Sequence, residues 1–152
     1  MLEYIKGDIF DTDSDVICHQ TNCKGVMGSG IALQIKKNFP KAYEAYVKYA
    51  KVYGDELLGM IQPVDCGDKT IINLFGQSSY GKDGKRYTDY DAFDTALDKI
   101  KTYCEVHNYN IAFPYKIGCG LGGGDWSIIK GLIEKYFEKS DIVCQIYIYS
   151  GE

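Results

Sequence analysis

Strand-like and helix-like segments alternate along this chain, and its two densest glycine clusters each fall where a strand passes into a helix. The first cluster is Asn22-Cys-Lys-Gly25-Val-Met-Gly28-Ser-Gly30-Ile-Ala32, and the second is Gly118-Cys-Gly120-Leu-Gly122-Gly-Gly124-Asp-Trp126. Few architectures accommodate this arrangement. A run of strand–helix repeats predicts a sheet covered by helices on both faces, and in such sheets ligands sit beyond the carboxyl ends of the strands. Glycine permits positive φ and close approach of a ligand to the main chain. Successive N–H groups leading into a helix N-terminus suit an anion such as phosphate. Two such loops at one end of a sheet would grip a diphosphate from both sides, whereas a mere tight connection rarely needs five glycines in seven residues.

Residues 2–6 and 15–20 read as short strands, the second apolar enough to be central. Ile31, Ile35 and Phe39 share a helical face that Pro40 interrupts, and Tyr43, Tyr46, Val47, Ala50 and Tyr53 form a second run stopped by Gly54. Strands are expected over 56–64 and 69–75, joined by a turn at 65–68, with a polar loop over 76–88. A helix follows at about 89–107, then a short strand at 111–114. Asp125 suits the N-cap of a helix carrying Ile128, Ile129, Leu132, Ile133, Tyr136 and Phe137, and residues 142–149 close the chain as a strand. The length of 152 residues, without repeats or a linker, points to one domain over 1–152.

Composition narrows the partners. With 17 Lys+Arg against 21 Asp+Glu the net charge is −4, which argues against wrapping a nucleic-acid backbone but not against holding one nucleotide. No apolar stretch approaches the roughly 18–20 residues that cross a bilayer, and no basic-then-apolar leader is visible, so a cytoplasmic protein without a membrane partner is expected. The six cysteines form no CxxC pair, so disulfides and a metal site are not expected and most thiols read as small buried hydrophobes. The named phosphate motifs do not fit. Leu33 stands where the dinucleotide fingerprint needs its third glycine, and Gly-Lys-Ser/Thr is absent.

Taken together, Gly7-Asp-Ile-Phe10, Cys18-His-Gln-Thr-Asn-Cys23 with Gly28-Ser-Gly-Ile-Ala32, Asn73-Leu-Phe75, and Pro114-Tyr-Lys-Ile-Gly-Cys-Gly-Leu121 running into Gly123-Gly-Asp-Trp126 resemble the macrodomain family. The resemblance covers nearly the whole chain. It is greatest to the branch of ADP-ribose-1″-phosphate-processing proteins and ADP-ribosyl hydrolases. It implies a three-layer α/β/α sandwich with a central mixed sheet, no cofactor, and ADP-ribose or an ADP-ribosylated molecule as partner, with a monomer as the default.

By that resemblance Asp8 would accept from the adenine amine beside Ile9, unless it is a turn-forming aspartate. Asn22 would bond the distal ribose, or cap its own turn. Gly28, Ser29, Gly30 and Ile31 would close over diphosphate and ribose, and Ile117, Gly118, Cys119, Gly120, Leu121, Gly122 and Gly123 would hold the diphosphate. His19 and Asp125 flank the two loops and are the catalytic candidates, against the alternatives of a hydrogen-bonded strand residue and a helix N-cap. Hydrolases acting on glutamate or thymine linkages carry a lysine where Gln77 stands and an aspartate where Gly122 stands. The Gly-Gly-Asp-Trp ending is closer to the phosphatase-type members. A hydrolase of ADP-ribose derivatives is the first expectation and a non-catalytic binding module the second.

Overall fold

The computed structural model describes residues 1–149. Six strands, β1 (Leu2–Lys6), β2 (Val16–Asn22), β3 (Ile61–Asp65), β4 (Thr70–Gln77), β5 (Ile111–Pro114) and β6 (Cys144–Ile148), form one sheet in the order β1-β6-β5-β2-β4-β3. All neighbours pair in parallel except β3 with β4, which makes the sheet mixed. Four helices cover it: α1 (Gly30–Asn38), α2 (Pro40–Tyr53), α3 (Tyr90–His107) and α4 (Trp126–Phe137).

The two-residue period of the strands separates the layers. Val16, Cys18, Ile72, Leu74, Ile111, Phe113, Cys144 and Ile146 pack with Phe93, Leu97, Ile100 of α3 and Ile129, Ile133, Phe137 of α4. The intervening Ile17, Ile71, Ala112 and Tyr147 turn to the other face and pack with Ile35 of α1 and Ala42 of α2. Two apolar stripes therefore bind opposite faces of one sheet, and each fully buried Leu, Ile or Phe contributes on the order of 1.5–3 kcal/mol. The three-layer α/β/α sandwich with a mixed sheet is the fold expected from the sequence.

Helix boundaries follow local chemistry. Pro40 opens α2 where its missing N–H costs nothing, and Asp89 and Asp125 cap α3 and α4 by accepting from Ala92 N and Ser127 N. Several strand boundaries differ from expectation. Residues 54–57 form a 3-10 turn, not the start of a strand, because Leu58 N and Met60 N donate back to Asp55 O and Leu57 O. Strands β2 and β4 also run on to Asn22 and Gln77, each two residues past the expected end. All six thiols are free, with Cys18, Cys23, Cys104 and Cys144 buried. No described helix is long and apolar enough to cross a membrane.

Candidate functional site

Strands β5 and β2 are neighbours, yet their connections leave to opposite faces, β2 toward α1 and β5 toward α4. A crevice opens where such connections diverge. Here it is a cavity of about 660 Å³, lined by the segments that follow five strands. Gly7–Phe10 follow β1 and Tyr149 follows β6, while Tyr115–Gly122 follow β5, Val26–Ala32 follow β2 and Tyr80–Lys82 follow β4. Both glycine clusters thus lie at the same end of the sheet and face each other.

The loop after β5 is shaped to offer donors. Gly118 and Gly123 have φ of +75° and +73°, a region that L side chains rarely adopt. Gly124 N donates to Gly118 O (2.9 Å) and Gly123 N to Gly120 O (3.0 Å), which closes the loop on itself. The N–H groups of Gly118, Gly120, Leu121 and Gly122 find no acceptor among the described residues, and all four residues line the cavity. Opposite them, Gly30, Ile31 and Ala32 begin α1, whose N-cap Ser29 makes no side-chain cap bond. The positive end of a helix dipole and a nest of free N–H groups converge on one space.

A network behind the wall holds these loops in register. Gln20 Nε2 donates to Gln77 Oε1 (2.7 Å) and Thr88 Oγ1 (2.8 Å), and Thr88 Oγ1 donates to Gly118 O (2.7 Å). Tyr87 N and Thr88 N both donate to Gly122 O. The loop over 78–88 is thereby fastened to the glycine loop.

Of the residues singled out in the sequence, Asp8, Ile9, Asn22, Gly28, Ser29, Gly30, Ile31, Ile117, Gly118, Gly120, Leu121 and Gly122 line the cavity. Asp8 also accepts from Phe10 N (2.9 Å) through Oδ1, so it caps its turn with one oxygen and retains the other. Asn22 accepts from Lys24 N and Tyr46 Oη and donates to Val26 O, which leaves one amide N–H uncommitted.

Four expectations require correction. Cys119 and Gly123 are not on the wall: the Cys119 thiol donates to Ile117 O, and Gly123 is pressed against Lys85 and Arg86. His19 is fully buried in β2 on the α2 side of the sheet. Its Nε2 bonds Asn73 Oδ1 (2.6 Å), its Nδ1 has no partner, and burial lowers its pKa to about 4. An imidazole without exposed atoms does not touch a substrate. Asp125 is exposed and off the cavity, accepting from Ser127 N (2.9 Å) and Ser127 Oγ (2.7 Å), bonds that hold its carboxyl below the usual range. It is the cap of α4. Replacing Asp125 with Ala should therefore lower the melting temperature, whereas Asn, which still caps, should restore it. Ligand affinity should stay within about twofold in both, and a large loss in the Asn variant would return Asp125 to the site.

Residues lining the cavity that the sequence did not single out as site residues include Gln20, Tyr80, Tyr115, Tyr147 and Tyr149. Their shared signal is position just at or past a strand's carboxyl end, together with the surplus of 14 tyrosines. Among the described residues no group of three or more His, Cys, Asp or Glu is placed to hold a metal ion.

The family profile described as Macro domain matches residues 18–132, which span both glycine loops and the strands between them. The chain belongs to the macrodomain family. A DNA ADP-ribosyl glycohydrolase of Mycobacterium tuberculosis is 33% identical over 99% of this chain. The match covers 43% of that relative, so this chain spans less than half the length of the first relatives it matches. An ADP-ribose 1″-phosphate phosphatase of Saccharomyces cerevisiae is 33% identical over 80% of this chain and 72% of its own length. Among solved structures, the macrodomain of Mycobacterium tuberculosis DarG aligns with a TM-score of 0.85 at 30% identity, covering 97% of each chain. The macrodomain sheet order places β2 and β5 side by side, and their divergent glycine loops form its cavity.

Proposed function

We propose that this macrodomain binds ADP-ribose and removes a substituent from its terminal ribose. The observation that carries the reading is that Gly118, Gly120, Leu121 and Gly122, whose N–H groups find no acceptor among the described residues, line the same cavity as the N-terminus of α1. A diphosphate accepts from such groups without any basic patch, so an acidic protein holds an anionic ligand. Asp8 takes the adenine end, where a carboxylate accepts from an exocyclic amine. The mycobacterial and yeast relatives, named for ADP-ribosyl and ADP-ribose-1″-phosphate hydrolysis, support the choice of substrate class.

Among the described residues no histidine and no carboxylate other than Asp8 lines the cavity. Rate enhancement therefore rests on charge stabilisation by the fixed N–H groups and on alignment of the terminal ribose, not on a side-chain base at His19 or Asp125. The same observation favours a second reading, a module that holds ADP-ribose without cleaving it.

Calorimetry with ADP-ribose, NAD, ATP and GTP tests the binding claim, and ADP-ribose should bind most tightly. Asp8→Ala should weaken it by about tenfold, the scale of one charge-assisted hydrogen bond. Incubation with ADP-ribose-1″-phosphate and with ester-linked ADP-ribosylated protein tests turnover. Release of phosphate or ADP-ribose supports the hydrolase. Tight ADP-ribose binding with neither product establishes the binding module.

A further inference from the structure

The cavity's ionisable lining is uneven. Asp8 is its one carboxylate among the described residues and lies past β1, while Lys82 and Lys116 supply its cations. Two lysines against one aspartate leave the lining at +1 in a chain of net charge −4. Along the sheet, β4 lies four strand positions from β1, roughly 19 Å at about 4.8 Å per strand. Lys82 lines the cavity from the connection after β4, which leaves the sheet four strand positions from the strand that precedes Asp8.

The loop that carries Lys82 is fixed on three sides. Tyr87 Oη donates to Asp83 Oδ1 (2.8 Å), and Lys85 N donates to the same oxygen (3.2 Å). Tyr87 N and Thr88 N are held by Gly122 O. Gly81 lies so close beneath the Tyr87 hydroxyl that a Cβ there would stand 2.3 Å from it.

The loop's own carboxylate is thus occupied. Asp83 bonds Tyr87 and faces Lys85 Nζ at 3.8 Å, while Lys82 makes no ion pair among the described residues. At the base of the same connection Gln77 carries no charge, and its amide is committed to Gln20 and to Ser79 O (2.7 Å). Lys116 follows β5, nearer the middle of the cavity, with its ammonium over the Tyr115 ring at 5.4 Å. Lys82 is thus left without a carboxylate partner among the described residues.

We propose that Lys82 is a specificity-determining residue that pairs with an anionic group on the terminal ribose, namely a phosphate at C1″, in preference to the neutral hydroxyl of free ADP-ribose. The assignment rests on the reading that the cavity holds ADP-ribose with adenine at Asp8. A flexible lysine serves as a point charge for phosphate, and its strength at an exposed position falls with ionic strength.

The test compares affinity for ADP-ribose-1″-phosphate with affinity for ADP-ribose, using kcat/KM for the former if phosphate is released. Wild type should prefer the phosphorylated ligand. In Lys82→Met that preference should fall by about tenfold, and Lys82→Arg should restore most of it. The preference should also shrink as salt rises. An unchanged ratio in Lys82→Met, or no preference in wild type, overturns the proposal while ADP-ribose binding itself stands. Failure of wild type to bind ADP-ribose overturns the reading of the cavity and the role of Lys82 together.

Discussion

Replacing Gly123 with Ala should cost about 2 kcal/mol or more of stability and weaken ADP-ribose binding by an order of magnitude, although Gly123 does not line the cavity. Two independent effects combine. The backbone there has φ of +73°, where a Cβ is strained whatever space surrounds it. That Cβ would also lie 2.7 Å from Lys85 O and 3.0 Å from Arg86 Cα, which are backbone atoms of a loop already bonded to Gly122 O. Relief requires the 78–88 loop and the glycine loop to part, and that motion would misplace the N–H groups of Gly118 to Gly122. Gly120 is the internal comparison, since a Cβ there meets nothing within 4 Å. Chemical denaturation of Gly123→Ala and Gly120→Ala measures the difference directly. Equal stability of the two variants would refute the role assigned to Gly123.

The second large effect concerns pH. His19 Nε2–H donates to Asn73 Oδ1, because the Asn73 amide nitrogen is already directed to Gln62 Oε1 (3.0 Å) and Ala42 O (3.3 Å). Protonation would place a charge on Nδ1, which is buried without an acceptor. Burial accordingly lowers the folded pKa from 6.5 to about 4, outweighing the opposing influence of the Asn73 bond.

The unfolded chain binds this proton more readily than the native one, so stability rises with pH across the interval. The His19 contribution is complete above about 6.5 and is lost as pH falls toward about 4. That shift corresponds to about 3 kcal/mol. Urea denaturation of wild type and His19→Gln at pH 7, 5.5 and 4.5 should show a steeper acid loss in wild type. Parallel slopes would remove His19 as the cause.

His19 and Asp125 illustrate why catalytic residues were harder to read than binding loops. Both flank glycine clusters in the sequence, and adjacency was the whole argument for them. In the fold His19 lies inside β2, as it does in the strand expected over 15–20, and the alternation of side chains turns it toward α2. Asp125 opens α4, and the carboxylate that ends a loop binds the helix it begins. The face to which strand alternation turns the side chain, and not nearness to the glycine loop, put His19 in the core. Lys82 shows the reverse. Its loop has no periodicity, so only the fold, in which the loop is fastened to Gly122, reveals that Lys82 lines the cavity.

The sequence by itself determined the three-layer fold, the family, and the two loops that form the cavity. Those properties reside in local patterns: period-two and period-3.6 apolar spacing, caps, and glycines where a chain must turn closely around a ligand. Only the tertiary structure decided which side chains reach that cavity. Burial and charge pairing are set by strands distant in sequence, as when Asn73 on β4 meets His19 on β2, or when the 78–88 loop folds over Gly122. No spacing within one segment encodes such contacts.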